Sequence, residues 1–250
     1  MNVYEELLTT LPDSKALQVC IGLHWTIVVV ESDGARQCGL AATLVGDHEH
    51  GMADVPQAGE LESFSTFELA RLAISDQPTL RTVGAATINA LLPPQPYDSM
   101  EVNAAEVIAH HGKDGTVALI GHFPFIPQLR IQVRQLHVLE LDPGEGELPA
   151  EAAPDILPHA DVVAMTSMTL LNHTFDDLMA LCSEEVSVLL LGPSTPLSPV
   201  LFNHGVDILS GSVVTAVEPV LRTIQQAGNF RQVHRAGVRL VTLYREGFVK

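Results

Sequence analysis

His122 stands immediately after an apolar run, Thr116–Ile120, and a glycine, Gly121. An imidazole in that setting can serve as a general acid or base, a hydrogen-bond donor or a ligand near neutral pH. Other polar groups occupy the same kind of place, just past an apolar run: Glu140, then Thr166 and Ser167, then Gly192, Pro193, Ser194 and Thr195, and last Ser210–Gly211–Ser212. Hydroxyls, small residues and backbone N–H groups gathered in such turns suit an anionic or polar ligand. Phe123 accompanies His122, and Asn172 and Thr174 follow the Thr166–Ser167 turn, although both also read as helix caps. Glu140 comes 19 residues after Gly121, the spacing at which a ribose-binding acid sits in dinucleotide folds. A solvated strand-end acid reads the same way. The glycine fingerprint of a standard NAD site is absent, since the turn reads GHFPFI. His48 and His50 flank Glu49 in a polar loop and offer two imidazoles and a carboxylate to a divalent or heavy metal. A solvated loop is the simpler reading, because no further ligand has diagnostic spacing. His24 reads as a half-buried strand residue, and His110–His111 as the end of a helix, where protonated imidazole favours the helix dipole.

The elements needed to position these residues are legible. Ala16–Glu31 is long, apolar and rich in β-branched residues, Ser32–Asp33–Gly34–Ala35 carries turn chemistry, and Gln37–Leu44 is apolar again, which predicts a hairpin. Ser65–Thr66–Phe67–Glu68 spells a capping box that opens a helix over Phe67–Ile74. A second helix is expected over Thr79–Leu92, and Pro93–Pro94–Gln95–Pro96 cannot continue it. Beyond that break, helices over Met100–His110, Thr174–Leu181 and Ala216–Gln226 alternate with short apolar strands at Thr116–Ile120, Gln135–Leu141, Asp161–Met165, Val186–Leu191, Val206–Leu209 and Val238–Tyr244. Continuous apolar strands separated by helices imply a mostly parallel sheet covered on both faces. In such a sheet ligands bind at the carboxyl ends of the strands, where the strand order switches. The turns named above all fall at that edge. Two domains are expected, 1–97 and 98–250, divided at the proline-rich link.

Composition narrows the function classes. The chain has 250 residues, 30 Asp plus Glu against 13 Lys plus Arg, and a formal net charge of −17. Phosphate backbones and anionic membranes are repelled by such a surface, so neither nucleic acid nor membrane is an expected partner. The longest apolar run is interrupted by His24, Glu31 and Asp33, too soon to span a bilayer. The N-terminal MNVYEELLTTLPDS lacks the basic and apolar regions of a signal peptide, and Cys20, Cys38 and Cys182 are odd in number and unclustered, so a cytoplasmic location is expected.

At the strand ends the sequence resembles a known family. GHFPFIPQL (121–129), VLELDP (138–143), ILPHADVVAMTSMTLLNHTFDDLM (156–179) and LLLGPSTPLSPVLFNHGVDILSG (189–211) resemble DUF364, a heavy-metal chelation family. VCIGLHWTIVV, CGLAATL and ELARLAISDQPTLRTVGAATINALL resemble its usual N-terminal partner, DUF4213. The resemblance implies an α/β protein: an enolase N-terminal-like α+β domain followed by a Rossmann-like domain, with the site between them. One departure is visible. The turn expected to read Asn-Gly-Thr is Asn172–His173–Thr174, and a positive φ is costly for His. Asn89, in the otherwise apolar stripe of its helix, must be hydrogen-bonded if buried, either to neighbouring backbone or to a ligand in the interdomain cleft.

The resemblance therefore implies a protein that binds, or condenses or hydrolyses, a small pterin-, flavin- or siderophore-like chelator in that cleft; the sequence does not identify a cofactor, a divalent or heavy metal being the candidate. His122 is the acid/base candidate, Glu140 an orienting acid and the Gly192–Thr195 turn an anion cradle, so that the partner is a small anionic or metal-chelating molecule. A non-enzymatic binder of a metal or metal chelate, and a nucleotide- or S-adenosylmethionine-type binder, are the competing readings. Exposed apolar helices allow a homodimer.

Overall fold

The computed structural model describes residues 2–32, 34–46, 53–93 and 104–248. Among these, ten strands form two sheets. The first sheet is antiparallel, built from β1 (Lys15–Ile21), β2 (Trp25–Ser32) and β3 (Ala35–Ala42) in that order. The apolar stretch expected to run as one strand is therefore two. Gly22, Leu23 and His24 turn the chain, closed by Gly22 N–H donating to Trp25 O, and His24 is exposed in the turn rather than half-buried in a strand.

The helix Pro78–Leu91 lies across this sheet, opened by the proline whose missing N–H costs nothing at a helix start. It approaches very closely. A Cβ on Gly39 of β3 would lie 2.2 Å from Ala86 O and Ala90 N, so glycine is required there. The capping box at Ser65 forms as read, with Ser65 Oγ accepting from Glu68 N–H and the Glu68 carboxylate accepting from Ser65 N–H. An N-terminal helix not foreseen, Val3–Thr10, is capped the same way by Asn2 and Glu5.

The second sheet comprises β4 (Thr116–Ile120), β5 (Gln135–Glu140), β6 (Leu148–Pro149), β7 (Val162–Thr166), β8 (Ser187–Leu191), β9 (Ile208–Val214) and β10 (Val238–Tyr244). Their spatial order is β10-β9-β8-β7-β4-β5-β6, and every pairing is parallel except β9 with β10. The chain starts at β4, builds outward through β5 and β6, then crosses back to β7 on the other side of β4. The switch in strand order thus falls between β4 and β7, whose carboxyl ends are Gly121 and Thr166–Ser167. β7 and β8 are buried along nearly their whole length, as strands covered on both faces must be. β9 extends beyond the expected Val206–Leu209, because Gly211 pairs with Val241 and lets the ladder run on to Val214. A helix not foreseen, Phe230–Gly237, is capped by Asn229 and Gln232 before β10.

The two sheets share one apolar cluster, which includes Tyr4, Val28, Val30, Ile88, Met165 and Leu190. Polar contacts pin the seam. Ala42 N–H donates to Ser194 Oγ at 2.8 Å, and Asn89 Nδ2 donates to Ser194 O at 3.1 Å. The Pro94–Pro96 link, the start of the helix read from Met100, and the candidate metal ligands His48 and His50 lie outside the described residues. No helix of the described residues is long and apolar enough to cross a membrane.

Candidate functional site

A cavity of about 640 Å³ opens over the carboxyl ends of β4, β5 and β7. Gly121, His122, Glu140, Thr166, Asn172 and Thr174 line it, so six of the residues read from sequence share one wall. The apolar remainder comes mostly from Ile120, Leu139, Leu141, Met168, Leu178 and Leu181. Gly121 has φ +110°, and a Cβ there would lie 3.0 Å from Thr166 Cβ, so only glycine lets β4 turn this tightly beside β7. Glu140 ends β5, and its Oε2 accepts from Leu141 N–H at 3.0 Å, which leaves Oε1 for a ligand.

His122 meets a partner the sequence did not reveal. Its Nδ1 lies 2.6 Å from Glu147 Oε1. Glu147 in turn closes its own loop: Oε2 accepts from Gly144 N–H at 2.8 Å, and Glu147 N–H donates to Gly144 O at 3.2 Å. A carboxylate on Nδ1 fixes the ring and, in the neutral ring, directs the Nε2 lone pair outward. The Gly144 N–H and the His122 ring hold the Glu147 carboxyl below its ordinary 4.5. A depressed carboxyl stabilises the folded loop above pH 4.5 and loses that contribution as pH falls through its lower folded value. Acidification below 4.5 should therefore free the loop. Hydrogen exchange at the Gly144 amide, taken relative to its intrinsic rate, should lose protection in that window and keep it at neutral pH; a flat profile would contradict the pairing.

Asn172 and Thr174 do not cap through their side chains as expected. Asn172 Oδ1 accepts from Thr174 N–H and from Thr174 Oγ at 2.7 Å, a local turn that leaves the Asn172 amide donors available. His173 between them adopts φ +61°, the strained conformation its glycine-like position demands. Its Nε2 donates to Ala73 O at 3.0 Å, so the departure from glycine ties this turn to the N-terminal half of the chain.

The other residues read from sequence are distributed differently. Asn89 and Thr195 line a second, smaller cavity of about 150 Å³ between β3 and β9. Asn89 Nδ2 donates to Leu40 O and Ser194 O, which fixes its amide, while Asn89 Oδ1 and Thr195 Oγ1 are buried without a hydrogen-bond partner. The Gly192–Thr195 turn has two of its N–H donors already engaged: Gly192 N–H donates to Ser210 O of β9 and Thr195 N–H to Gly192 O, and Pro193 has none. Pro193 contributes a carbonyl to Ser212 Oγ at 2.7 Å. Ser167 is buried behind Gly192, where a Cβ would sit 2.7 Å from Ser167 Oγ. Phe123 stacks on Phe125, ring centroids 5.0 Å apart, and lines neither of these two cavities. The expected single crevice is thus two.

Among the described residues no three His, Cys, Asp or Glu side chains converge on a point that could hold a metal ion. Burial pushes the Cys38 thiol up to about 12 and that of Cys182 up to about 11, which keeps both protonated and poor as metal ligands. These residues do not fit a resident metal.

Comparison with known proteins agrees with this architecture. A family model described as "DUF364: Putative heavy-metal chelation" matches residues 103–242, and one for DUF4213, with the same description, matches residues 4–92. An uncharacterised protein of Methanocaldococcus jannaschii is 27% identical over 228 residues, covering 87% of this chain and 85% of that protein. Two crystal structures of DUF364 proteins of unknown function share the fold. The one from Desulfitobacterium hafniense is 24% identical with a TM-score of 0.80, and the one from Pyrococcus horikoshii 21% identical with a TM-score of 0.83; each pairing covers 97% of this chain and 98% of the other.

Proposed function

We propose, from the premise that the chain belongs to the DUF364 heavy-metal chelation family and carries the DUF4213 region before it, that it binds a small ring-bearing metal chelator. The observation that supports this is the cavity of about 640 Å³ at the switch point of the parallel sheet. That volume suits a pterin- or flavin-sized molecule. An apolar wall accepts a ring system, and a few polar groups fix its orientation: Glu140 Oε1, the Asn172 amide and His122 Nε2. His122, oriented by Glu147, is the group available to give or take a proton from such a ligand. Glu140 also occupies the strand-end position at which Rossmann folds read a ribose, so adenosyl compounds belong in the same trial.

Thermal unfolding with pterins, flavins, catechol-type chelators and adenosyl compounds, each with and without a divalent metal, tests the proposal. A ligand at a hundred times its Kd adds about 2.7 kcal/mol, which for a chain of this size raises Tm by roughly 5–10 °C. One class should produce that shift, and Asn172→Ala, which also loses the acceptor for Thr174 and so lowers the unliganded Tm, should reduce the shift measured against the variant's own unliganded Tm. No shift from any ring compound, or a shift indifferent to Asn172, would reject the proposal.

A further inference from the structure

We infer that the cavity over β4, β5 and β7 selects for positive charge: its occupant is an organic cation, or a chelator whose bound metal leaves the complex cationic. This rests on the cavity being the ligand site. Three carboxylates line it, Glu140, Glu151 and Asp177, and neither lysine nor arginine does among the described residues. The lining imidazole, His122, is matched by the Glu147 carboxylate and adds no net positive charge when protonated. Glu140 is half-buried at the strand end, where low dielectric strengthens its field, whereas Glu151 and Asp177 are exposed at the rim and screened by salt. The surrounding chain reinforces the sign, since a net charge of −17 raises the local concentration of cations at such a mouth and repels anions.

The anion cradle expected at the Gly192–Thr195 turn does not offset this. That turn borders the smaller cavity, and its Gly192 and Thr195 N–H groups are bonded to Ser210 O and Gly192 O. A phosphate or free carboxylate entering the larger cavity would meet three carboxylates with no lysine or arginine on the wall, while a ring carrying an ammonium, a sulfonium or a coordinated divalent metal would neutralise them. The family's association with metals acquires a physical form here: the carboxylates recognise the charge that the metal confers on its chelator, without coordinating it from a preformed cage.

Fluorescent probes of matched size and different charge test this on the full chain. Thioflavin T is a cation, phenylnaphthylamine is neutral, and anilinonaphthalene sulfonate is the anionic counterpart of the neutral probe. Thioflavin T should bind at least about tenfold more tightly than the sulfonate at low salt, and displace phenylnaphthylamine. The combined variant Glu140→Gln, Glu151→Gln, Asp177→Asn should bring the two within about threefold, with Glu140→Gln alone giving the largest single loss and the one least sensitive to salt. These isosteric changes keep the acceptor for Leu141 N–H, and circular dichroism verifies folding. Phenanthroline with and without zinc separates the sources: tightening on metal addition assigns the charge to a bound metal, and tight thioflavin T binding without that tightening assigns it to an organic cation. Equal binding of cation and sulfonate, or a preference unchanged in the triple variant, overturns the inference even when phenylnaphthylamine still binds. Failure of the neutral probe as well would count against the cavity as a ligand site.

Discussion

Replacing Gly84 by alanine should leave little folded protein. Helix propensity alone predicts the opposite, a gain of about 1 kcal/mol for Gly→Ala in a helix interior. The packing reverses the sign. A Cβ at Gly84 would lie 1.9 Å from Ala73 N and 2.5 Å from Ala73 Cα and Leu72 C, all backbone atoms that cannot rotate away. The helix Pro78–Leu91 would have to lift off the turn Leu72–Ile74. The same helix is seated on Gly39 of β3 and carries Asn89, which bonds across to Ser194, so one displacement loosens both seams. Overpacking of this kind costs about 3 kcal/mol or more. Urea unfolding of Gly84→Ala should show that loss, or the variant should fail to accumulate. A midpoint equal to or above that of the parent would mean the helix sits farther from the turn than described.

The Gly39 and Gly84 contacts also mark how far the fold can be read from its sequence. Strand β4 lies where its apolar run places it, because a strand buried on both faces is spelled by its own composition, and the edge strand β10 follows its run of alternating β-branched and leucine residues although Arg239 is exposed. Ser65–Glu68 announces its helix through a local hydrogen-bond pair. The helix Val3–Thr10 went unread although Asn2 and Glu5 form the same device, since its buried face is only Val3, Tyr4 and Leu7, too short to show a period. Phe230–Gly237 fully buries only Val233, with Phe230 and Ala236 packed beside it, so its stripe is too short among polar residues to show a period. Residues at the candidate site were legible wherever the sheet rule applied, because a strand end is a local feature. Their division between two cavities was not. That depends on Ser194 meeting both β3 and Asn89 across more than a hundred residues, and on Glu147 reaching His122 from a loop with no periodicity.

Asp207→Ala should be among the most destabilising substitutions in the chain and yet leave ligand binding intact. Asp207 precedes β9 at the amino edge of the parallel sheet, opposite to the cavity. Its side chain is 7% exposed and accepts three hydrogen bonds: Oδ1 from Arg245 Nε at 2.9 Å and Nη2 at 2.6 Å, and Oδ2 from Val188 N–H at 2.9 Å. It thus joins the starts of β8 and β9 to the end of β10, in a sheet whose last pairing is antiparallel. Alanine leaves the Val188 N–H unsatisfied and the guanidinium without its counter-charge. Breaking such a pair costs about 3–5 kcal/mol when both partners are buried. The Arg245 side chain is half exposed, so water compensates it in part and the lower end, about 3 kcal/mol, is expected. Tm should fall by roughly 6–12 °C. Asp207→Asn, which keeps one acceptor and loses the charge, should fall less. Thioflavin T affinity should stay within about twofold of the parent for both, because effects at well-separated, unconnected sites add without coupling. A parallel collapse of affinity would show that the two edges of the sheet are mechanically linked, and the cavity would then have to be understood as part of a network reaching Asp207. A loss under about 1 kcal/mol would instead mean that the Asp207–Arg245 pair is solvated in solution and does not hold β10 to the sheet.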